Sequence, residues 1–456
     1  MGSARARQFF GTDGIRGTVG GPVVNGKFFS RLGIALRRFL LADRSKDRRP
    51  RLLIGHDTRH SAPTLRSALL RGLGNLVEVL DGGVLPTPLL AHGVRLLGCD
   101  ACAVLTASHN GAGENGIKLL RTDGGKWTVD AELRLESLLI DRDREGDLPM
   151  EEATAADCRE TILSFYQKNI WERFFPKNAL SGMLIALDCA NGAASFHAAA
   201  HLQALGAKVF STACTPDGYN INARSGSEHP ASIIRHTLAK KADWGLALDG
   251  DGDRALICDG DGRLISGEQI LALLALEGWR MGLAKPDIAV TTELANGALD
   301  AFLKTGGVDV LRTAVGDRAV AEAMETWGSC LGGEPSGHVL VPALGPLADG
   351  LAVGALFLSC VRQVEGTAWR FVHRPGGKKN ILVATKIPLA QLPGFCETLH
   401  DVEHFLKNRG SVRVRYSGTE SVLRLHVEAD DPALVQPCLA RLEVAYGEGV
   451  ARGSRA

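Results

Sequence analysis

The sequence predicts an α/β protein of several domains, and three observations lead to that prediction. The chain has 456 residues, which at roughly 100–200 residues per domain corresponds to three or four domains. Short apolar runs alternate with stretches of helical periodicity, as in layers built on a mainly parallel sheet. Hydrophobic residues make up 45% of the chain, enough for packed cores, and 54 glycines fit tight loops between elements.

The charge balance argues against two classes of partner. The chain carries 52 basic and 51 acidic side chains, for a net charge of +1. This balance predicts no nucleic-acid partner and no membrane surface, although it leaves room for a local cluster of cations facing an anion. The opening residues, Met1–Gln8, are polar and lead into no apolar signal core, so we expect a cytoplasmic protein.

The first α/β unit is predicted over residues 1–178. Its strands are expected at 51–55, 76–80 and 101–105, with helices at 61–73 and 87–97. The third strand leads into Thr106–Asn110, which presents Ser108 at a strand-to-loop corner, with His109 beside it and Lys118 ten positions on. Ligands lie at the carboxyl ends of such strands, so Ser108 is predicted as a nucleophile or phosphate carrier. A simple turn is the alternative.

A glycine-bearing loop, Phe9–Gly17, comes before these elements. It holds three glycines, and Arg16 is its one cation. Glycines let a backbone approach a ligand closely, and the planar guanidinium of arginine suits a phosphate. The composition of this loop therefore indicates an anion-binding segment.

The second unit is predicted over residues 179–254 and ends in an acidic loop. Its strands are expected at 183–187, 208–211 and 244–248. The loop places Asp249, Asp251 and Asp253 at alternate positions with glycines between them, which lets three carboxylates converge. Hard oxygen ligands indicate Mg²⁺, Mn²⁺ or Ca²⁺, but an EF-hand is excluded because Arg254 and Gly260 stand at its glycine and glutamate positions. A solvated acidic turn is the alternative.

The third and fourth units are predicted over residues 255–372 and 373–456. Strands are expected at 255–258, 287–291 and 308–311 in the third unit, and at 411–415 and 422–427 in the fourth. The third unit carries a glycine-bounded loop with Glu334, Ser336 and His338, whose polar groups suit a polyol such as a sugar. A simple turn would also explain it.

A basic linker, Arg374–Lys379, is predicted to precede the fourth unit. The loop between the two strands of that unit offers Arg415, the hydroxyls of Ser417 and Thr419, and backbone amides around Gly418. Such a set forms a nest for a phosphate dianion, and a hairpin turn is the alternative. A phosphoryl-transfer enzyme acting on a sugar phosphate needs all of these loops, since positioning and charge neutralisation provide most of its catalysis.

Five segments, taken together and in order, resemble the signatures of the α-D-phosphohexomutase family. We name them the opening loop, the serine loop, the metal loop, the sugar loop and the phosphate loop, which are Phe9–Gly17, Thr106–Asn110, Asp249–Arg254, Gly333–His338 and Arg415–Glu420. The resemblance covers nearly the whole chain. It implies four domains around a central cleft, three of them similar mixed α/β domains and the last a smaller C-terminal α+β domain.

The resemblance also implies a role for each candidate residue. Ser108 would carry a phosphoryl group, and an oxygen of phosphorylated Ser108 would join Asp249, Asp251 and Asp253 around one Mg²⁺. The other implied roles are proton transfer by Lys118 and His109, charge stabilisation by Arg16, sugar binding by Glu334, Ser336 and His338, and phosphate binding by Arg415, Ser417, Gly418 and Thr419.

The implied activity interconverts glucosamine 6-phosphate and glucosamine 1-phosphate through a phosphoserine and a 1,6-bisphosphate, with hexose 1,6-bisphosphate as activator. The opening loop is similar to that of the family branch that acts on glucosamine phosphates. Pro335 departs from that branch, which usually has a polar amide there, so action on mannose or glucose phosphates is the alternative. A catalytically inactive binding protein and a metal-dependent phosphatase are further alternatives. A phosphosugar is the expected partner, and a homodimer is left open.

Overall fold

The computed structural model describes residues 7–42, 48–140, 152–364, 366, 369–417 and 421–453. These residues form two compact units, Met1–Leu294 with Val308–Trp369, and Ala295–Gly307 with Arg370–Ala456. The first unit contains three β-sheets and the second contains one. No helix in the described ranges is both long enough and apolar enough to cross a membrane.

The first sheet has six strands in the order β1-β5-β4-β2-β3-β6. Its strands are β1 (Ile15–Thr18), β2 (Arg51–His56), β3 (Glu78–Val84), β4 (Ala101–Leu105), β5 (Glu114–Leu120) and β6 (Ala155–Asp157). The accompanying helices are α1 (Gly26–Leu41), α2 (Ala62–Leu73), α3 (Thr87–Leu96), α4 (Val129–Ile140), α5 (Arg159–Tyr166) and α6 (Glu172–Phe174). Strands β2, β3, β4 and β6 pair in parallel, while β5 and β1 pair antiparallel.

The second sheet has the order β11-β10-β9-β7-β8. Its elements are β7 (Leu184–Asp188), α7 (Ala198–Ala204), β8 (Lys208–Thr212), α8 (Pro230–Lys240), β9 (Trp244–Leu248), β10 (Ala255–Asp259) and β11 (Leu264–Ile265). We predicted 255–258 as a strand of the third unit, and that assignment was wrong. The metal loop reverses the chain, so β10 pairs antiparallel with β9 and completes the second sheet.

The third sheet has the order β13-β12-β14-β15. The chain runs here through α9 (Gly267–Glu277), β12 (Ile288–Thr292), α10 (Ala298–Thr305), β13 (Asp309–Thr313), α11 (Asp317–Trp327), β14 (Gly332–Gly333), β15 (Val339–Leu340) and α12 (Gly350–Gln363). Strands β12, β13 and β14 pair in parallel, and β15 pairs antiparallel with β14. Helix α10 belongs to the second compact unit.

The second unit is built on an antiparallel sheet of order β16-β18-β17. Its further elements are β16 (Gly376–Leu382), α13 (Phe395–Leu406), β17 (Gly410–Tyr416), β18 (Val422–Ala429) and α14 (Val435–Gly453). Leu423, Leu425 and Val427 alternate toward its core, where they pack with Phe395 and Leu442. The predicted linker at 374–379 was wrong in part, because Gly376 begins a strand that pairs with β18 along its whole length.

One feature is common to the three sheets of the first unit. In each sheet, a strand that pairs in parallel with its neighbour is followed by a loop and then by an antiparallel strand. The serine loop joins β4 to β5, the metal loop joins β9 to β10, and the sugar loop joins β14 to β15. The predicted fold of three similar mixed α/β domains and a smaller α+β domain is confirmed.

Helices α1 and α2 pack so closely that glycine is required at their contact. A Cβ atom on Gly72 would lie 2.0 Å from the carbonyl oxygen of Ser30 and 2.8 Å from the Cα of Gly33. Both neighbours are backbone atoms, which a rotamer change cannot move. The contact fixes α1 and α2 on the sheet that carries the serine loop.

We therefore expect Gly72→Ala to lower the free energy of unfolding by about 1–3 kcal/mol through overpacking. Urea unfolding followed by circular dichroism measures the change. Gly26→Ala in α1 is the matched control, because its Cβ would meet only Ala68 Cβ at 3.9 Å. Equal midpoints for the two variants would contradict the packing argument.

Candidate active site

Ser108 lies at the corner between β4 and β5, where its side chain faces the metal loop. It is 2% exposed, and its Oγ donates a hydrogen bond to Asp249 Oδ2 at 2.8 Å. Its backbone has φ 52°, in the left-handed region that residues with a Cβ rarely adopt. Strained positions of this kind cluster at active sites. Here the left-handed backbone conformation directs the Ser108 hydroxyl toward the carboxylates of the metal loop.

The three aspartates of the metal loop converge as predicted. Asp249, Asp251 and Asp253 each offer a carboxylate oxygen within 4.8 Å of the others, and all three side chains are buried. Within the described part of the chain, Asp251 Oδ1 accepts no hydrogen bond, and Asp253 Oδ1 has only an ion-pair contact of 3.6 Å with His338 Nδ1. Burial first, and then the charges of the other two carboxylates, raise the pKa of Asp249 well above its usual value. Buried oxygens that lack donors and repel one another fit a hard divalent cation such as Mg²⁺.

The backbone of the metal loop is held from several directions. The carbonyl oxygens of Gly250, Asp251 and Gly252 accept hydrogen bonds from the amides of Ala193 at 2.8 Å, Thr87 at 2.9 Å and Gly350 at 3.0 Å. A Cβ on Gly250 would lie 2.7 Å from the carbonyl oxygen of Ser108. The glycines of the motif therefore allow the serine loop and the metal loop to touch through their backbones.

Lys118 balances the negative charge at this point. Its Nζ lies 2.7 Å from Asp251 Oδ2, 3.0 Å from Asp253 Oδ2 and 3.1 Å from Asp13 Oδ2. Burial alone would lower the pKa of Lys118, but the three carboxylates raise it well above its usual value. The side chain is thus an ammonium group that faces both the opening loop and the metal loop.

His338 of the sugar loop joins the same network of charges. Its Nε2 lies 3.2 Å from Asp317 Oδ2 and its Nδ1 lies 3.6 Å from Asp253 Oδ1. Burial opposes its charge, yet Asp253 and Asp317 raise the pKa of His338 to about 10. A cationic His338 is therefore engaged with carboxylates, and Lys126 completes the chain by pairing with both Asp317 and Asp13.

Two further candidates of the first unit, Arg16 and His109, lie at the edge of this network. Arg16 donates to the carbonyl of Ala107 in the serine loop at 3.3 Å and pairs with Asp13. His109 Nδ1 is 3.4 Å from Ser108 Oγ, and burial, followed by the charge of Arg254, lowers its pKa. Both side chains are half-buried.

Glu334 and Ser336 are the more accessible residues of the sugar loop. Glu334 is half-buried and accepts a hydrogen bond from the amide of Gly316 at 3.1 Å, whereas Ser336 is exposed. The loop is tied back to the second sheet, because the amide of Ala255 donates to the carbonyl of Gly337 at 3.1 Å. Because this tie uses only backbone atoms, the side chains of Glu334 and Ser336 can meet a ligand without breaking it.

The phosphate loop belongs to the second compact unit and is described there alone. Arg415 lies directly opposite Arg424 in the pairing of β17 with β18. Ser417 is buried, its Oγ accepts from Arg424 at 3.3 Å, and its carbonyl accepts from Lys386 at 2.6 Å. Gly418 and Thr419 lie outside the described residues. Like charges that face each other across a sheet are destabilising, so an anion at Arg415 and Arg424 would relieve their repulsion.

Sequence reasoning missed several residues of the site. Arg59 is buried, whereas Lys126 and Asp317 are half-buried, and all three contact the network or the serine loop. Asp317 carried a signal, since it follows a glycine and opens a helix after a predicted strand. Lys126 and Arg59 are isolated cations in polar stretches, and no spacing marks them.

Models of four domains of the phosphoglucomutase/phosphomannomutase family match the chain. The alpha/beta/alpha domains I, II and III match residues 7–145, 164–262 and 266–374, and the C-terminal domain matches residues 379–443. Together with the serine, metal and sugar loops on three similar sheets, these matches define the class of protein. The chain belongs to the phosphoglucomutase/phosphomannomutase family of phosphohexomutases, and its reaction class is that of an isomerase.

Curated relatives add a more particular likeness. The chain is 38% identical over 94% of its length to a phosphoglucosamine mutase of Nitratidesulfovibrio vulgaris strain Miyazaki F, covering 96% of that protein. It is 37% identical to the phosphoglucosamine mutase of Geobacter sp. strain M21, with 93% of this chain and 94% of that protein covered.

Solved structures show the same fold. A phosphoglucomutase/phosphomannomutase family protein from Burkholderia thailandensis superposes with a TM-score of 0.76 at 22% identity, covering 98% of each chain. The Aspergillus fumigatus N-acetylphosphoglucosamine mutase in complex with GlcNAc-6P and magnesium superposes with a TM-score of 0.65 at 17% identity, covering 97% of this chain and 96% of that one.

We expect Asp251→Asn to weaken binding of Mn²⁺, used as a probe for Mg²⁺, by more than about 10-fold, because ligand charge sets affinity at carboxylate sites. Calorimetric titration of the protein with Mn²⁺ measures this without relying on activity. Asp261→Asn is the control, since that carboxylate is 71% exposed in the next turn. Unchanged Mn²⁺ affinity in Asp251→Asn would show that the metal loop is not the metal site.

Proposed function

We propose that the chain interconverts glucosamine 6-phosphate and glucosamine 1-phosphate by way of a phosphoserine at position 108. The observation that carries the proposal is the placement of Ser108 Oγ against the buried carboxylates of the metal loop. A hydroxyl beside a buried carboxylate cluster that fits a divalent cation is placed where that cation would neutralise a phosphoryl group carried on Oγ. The names of the two curated relatives described above, both phosphoglucosamine mutases, support the substrate.

The proposed reaction is a phosphoryl transfer in both directions. The sugar hydroxyl attacks the phosphorus on Ser108, the bond from phosphorus to Oγ breaks, and the bisphosphate that results returns its other phosphoryl group to Oγ. Bound Mg²⁺, held by Asp249, Asp251 and Asp253, supplies charge neutralisation at the phosphoryl oxygens. A hexose 1,6-bisphosphate acts as activator, because it phosphorylates any enzyme that has lost its phosphoryl group.

The other side chains position the reactants and move protons. Lys118 and His109 are the candidates for proton transfer at the sugar hydroxyl, since both lie beside Ser108 or its carboxylates. His109, whose lowered pKa keeps it neutral, can accept the proton that the attacking hydroxyl loses, and the ammonium of Lys118 can donate one to the leaving oxygen. Arg16, which contacts the serine loop, is proposed to stabilise the charge of the transferring group. His338 orients the sugar loop, and Glu334 and Ser336 are proposed to bind the sugar hydroxyls.

A second phosphate would be held by the second compact unit. Arg415 and Ser417, with Gly418 and Thr419, are proposed to bind the phosphate that is not reacting. The pairing of Arg415 with Arg424 at opposite positions of β17 and β18 places two cationic residues together, which supports an anion at this place. A cytoplasmic location, the absence of nucleic-acid and membrane partners, and a homodimer stay predictions.

We expect Ser108→Ala to lower turnover of glucosamine 6-phosphate by about 1,000-fold or more, because it removes the group that carries the phosphoryl. A coupled assay for glucosamine 1-phosphate, with Mg²⁺ and a trace of glucose 1,6-bisphosphate, measures the loss. Ser164→Ala, at an exposed position of α5, is the matched control. Retention of wild-type turnover in Ser108→Ala would refute the phosphoserine mechanism.

The same assay run on other hexose phosphates tests the substrate. Higher turnover of glucosamine 6-phosphate than of mannose or glucose phosphates supports the proposal, and the reverse order would assign the chain to the phosphomannomutase/phosphoglucomutase alternative. Pro335 in the sugar loop would then be the first residue to exchange. Release of inorganic phosphate without isomerisation would instead indicate a phosphatase.

A further inference from the structure

Arg59, which lies between β2 and α2, is fully buried beside the serine loop. Its side chain has no exposed surface and pairs through Nε with Asp57 Oδ2 at 2.9 Å. The two terminal nitrogens donate to four backbone carbonyls of the serine loop and its continuation, those of Ser108 at 3.0 Å, Asn110 at 2.7 Å, Glu114 at 2.9 Å and Gly111.

A second path leads from Arg59 to the amide of Ser108. Asp57, the ion-pair partner of Arg59, accepts a hydrogen bond from Thr106 Oγ1 at 2.7 Å. The same Thr106 oxygen accepts from the amide nitrogen of Ser108 at 2.8 Å. Arg59 thus reaches the carbonyl of Ser108 directly and its amide through Asp57 and Thr106. Both peptide groups that set φ and ψ of Ser108 are fixed by one buried group of side chains.

The backbone of Ser108 needs such fixing because its φ of 52° is unfavourable for a residue with a side chain. Asn222, in the loop between β8 and α8, adds a donor to the same carbonyl at 2.8 Å. An arginine suits this position better than a lysine, since its planar fork presents five donors in fixed directions whereas an ammonium is a single point charge.

We propose that Arg59 is a positioning residue for the phosphoryl transfer, holding Ser108 in the strained conformation that directs Oγ at the metal loop. The inference rests on the proposed function of Ser108. Arg59 contacts no reacting atom, so its effect falls on the alignment of Oγ and not on the affinity for sugar. Misplacement of a reacting group by about 1 Å costs on the order of 100-fold in rate.

The test is Arg59→Lys in the full-length chain, which keeps the charge beside Asp57 and loses the fork. We expect kcat to fall about 100-fold and KM to change by less than about threefold, per folded molecule judged by circular dichroism. The control is Arg66→Lys, in the same domain, where the arginine pairs with Asp81 away from the serine loop. A folded Arg59→Lys enzyme with the kcat of the wild type would overturn the inference.

A second pair of variants decides the matter if Arg59→Lys does not fold. Thr106→Val removes the hydroxyl that links Asp57 to the Ser108 amide, whereas Thr106→Ser keeps it. Loss of kcat at constant KM in the first and its rescue in the second supports the inference, and equal kcat in both overturns it.

Intact-mass measurement of Ser108 phosphorylation by glucose 1,6-bisphosphate separates this result from the proposed function. If the wild type takes up no phosphoryl group, the proposed function itself fails. If the wild type is phosphorylated and Arg59→Lys is phosphorylated at the same rate, the positioning role alone is wrong.

Discussion

The negative charge of three buried carboxylates in one hairpin loop is the constraint on which the rest of the first unit depends. Asp249, Asp251 and Asp253 lose their hydration and repel one another, which is costly unless cations lie among them. The fold supplies Lys118 and the cationic His338, and it leaves carboxylate oxygens without donors where a divalent ion fits. The proposed reaction depends on this arrangement, because the cations that offset the charge of the three carboxylates would also neutralise a phosphoryl group on Ser108.

Repetition of one topological unit is how the chain assembles this site. Each of three sheets ends a parallel strand in a loop and returns antiparallel, and each loop delivers a different part: a hydroxyl, a set of carboxylates, or a group of polar side chains. Backbone contacts then lock the loops together, as at Gly250 against Ser108 and Ala255 against Gly337. Glycine recurs in these motifs because side chains would prevent that approach.

Much of this was predictable from the sequence, for identifiable physical reasons. Strands 101–105 and 244–248 were predicted at their observed bounds. A short apolar run that ends at polar residues or glycine is typical of a buried strand, and the run is too short for a helix. The convergence of the three aspartates followed from their alternate spacing. The strand predicted at 76–80 runs instead from Glu78 to Val84, since residues 74–76 form a 3₁₀ turn first.

What could not be predicted depends on long-range pairing. Ala255–Asp259 joins the second sheet because the metal loop is a hairpin, and no local pattern distinguishes a hairpin loop from the end of a domain. Gly376 begins a strand although its neighbours are basic and rich in glycine, because β18 offers it a full set of partners. Arg59 contacts Ser108, 49 positions away, and Lys126 contacts Asp317, 191 positions away, so these contacts appear only in three dimensions.

The transfer of label from Ser108 is the most direct measurement of the chemistry. Enzyme carrying a ³²P-labelled phosphoryl group on Ser108 is mixed with unlabelled glucosamine 6-phosphate and Mg²⁺, and the products are separated by anion-exchange chromatography. The mutase reaction predicts that the label moves into glucosamine bisphosphate and monophosphates within the first turnovers, with only traces of inorganic phosphate. Label that appears in inorganic phosphate at the same rate with and without sugar would contradict it, because water and not the sugar would then be the acceptor.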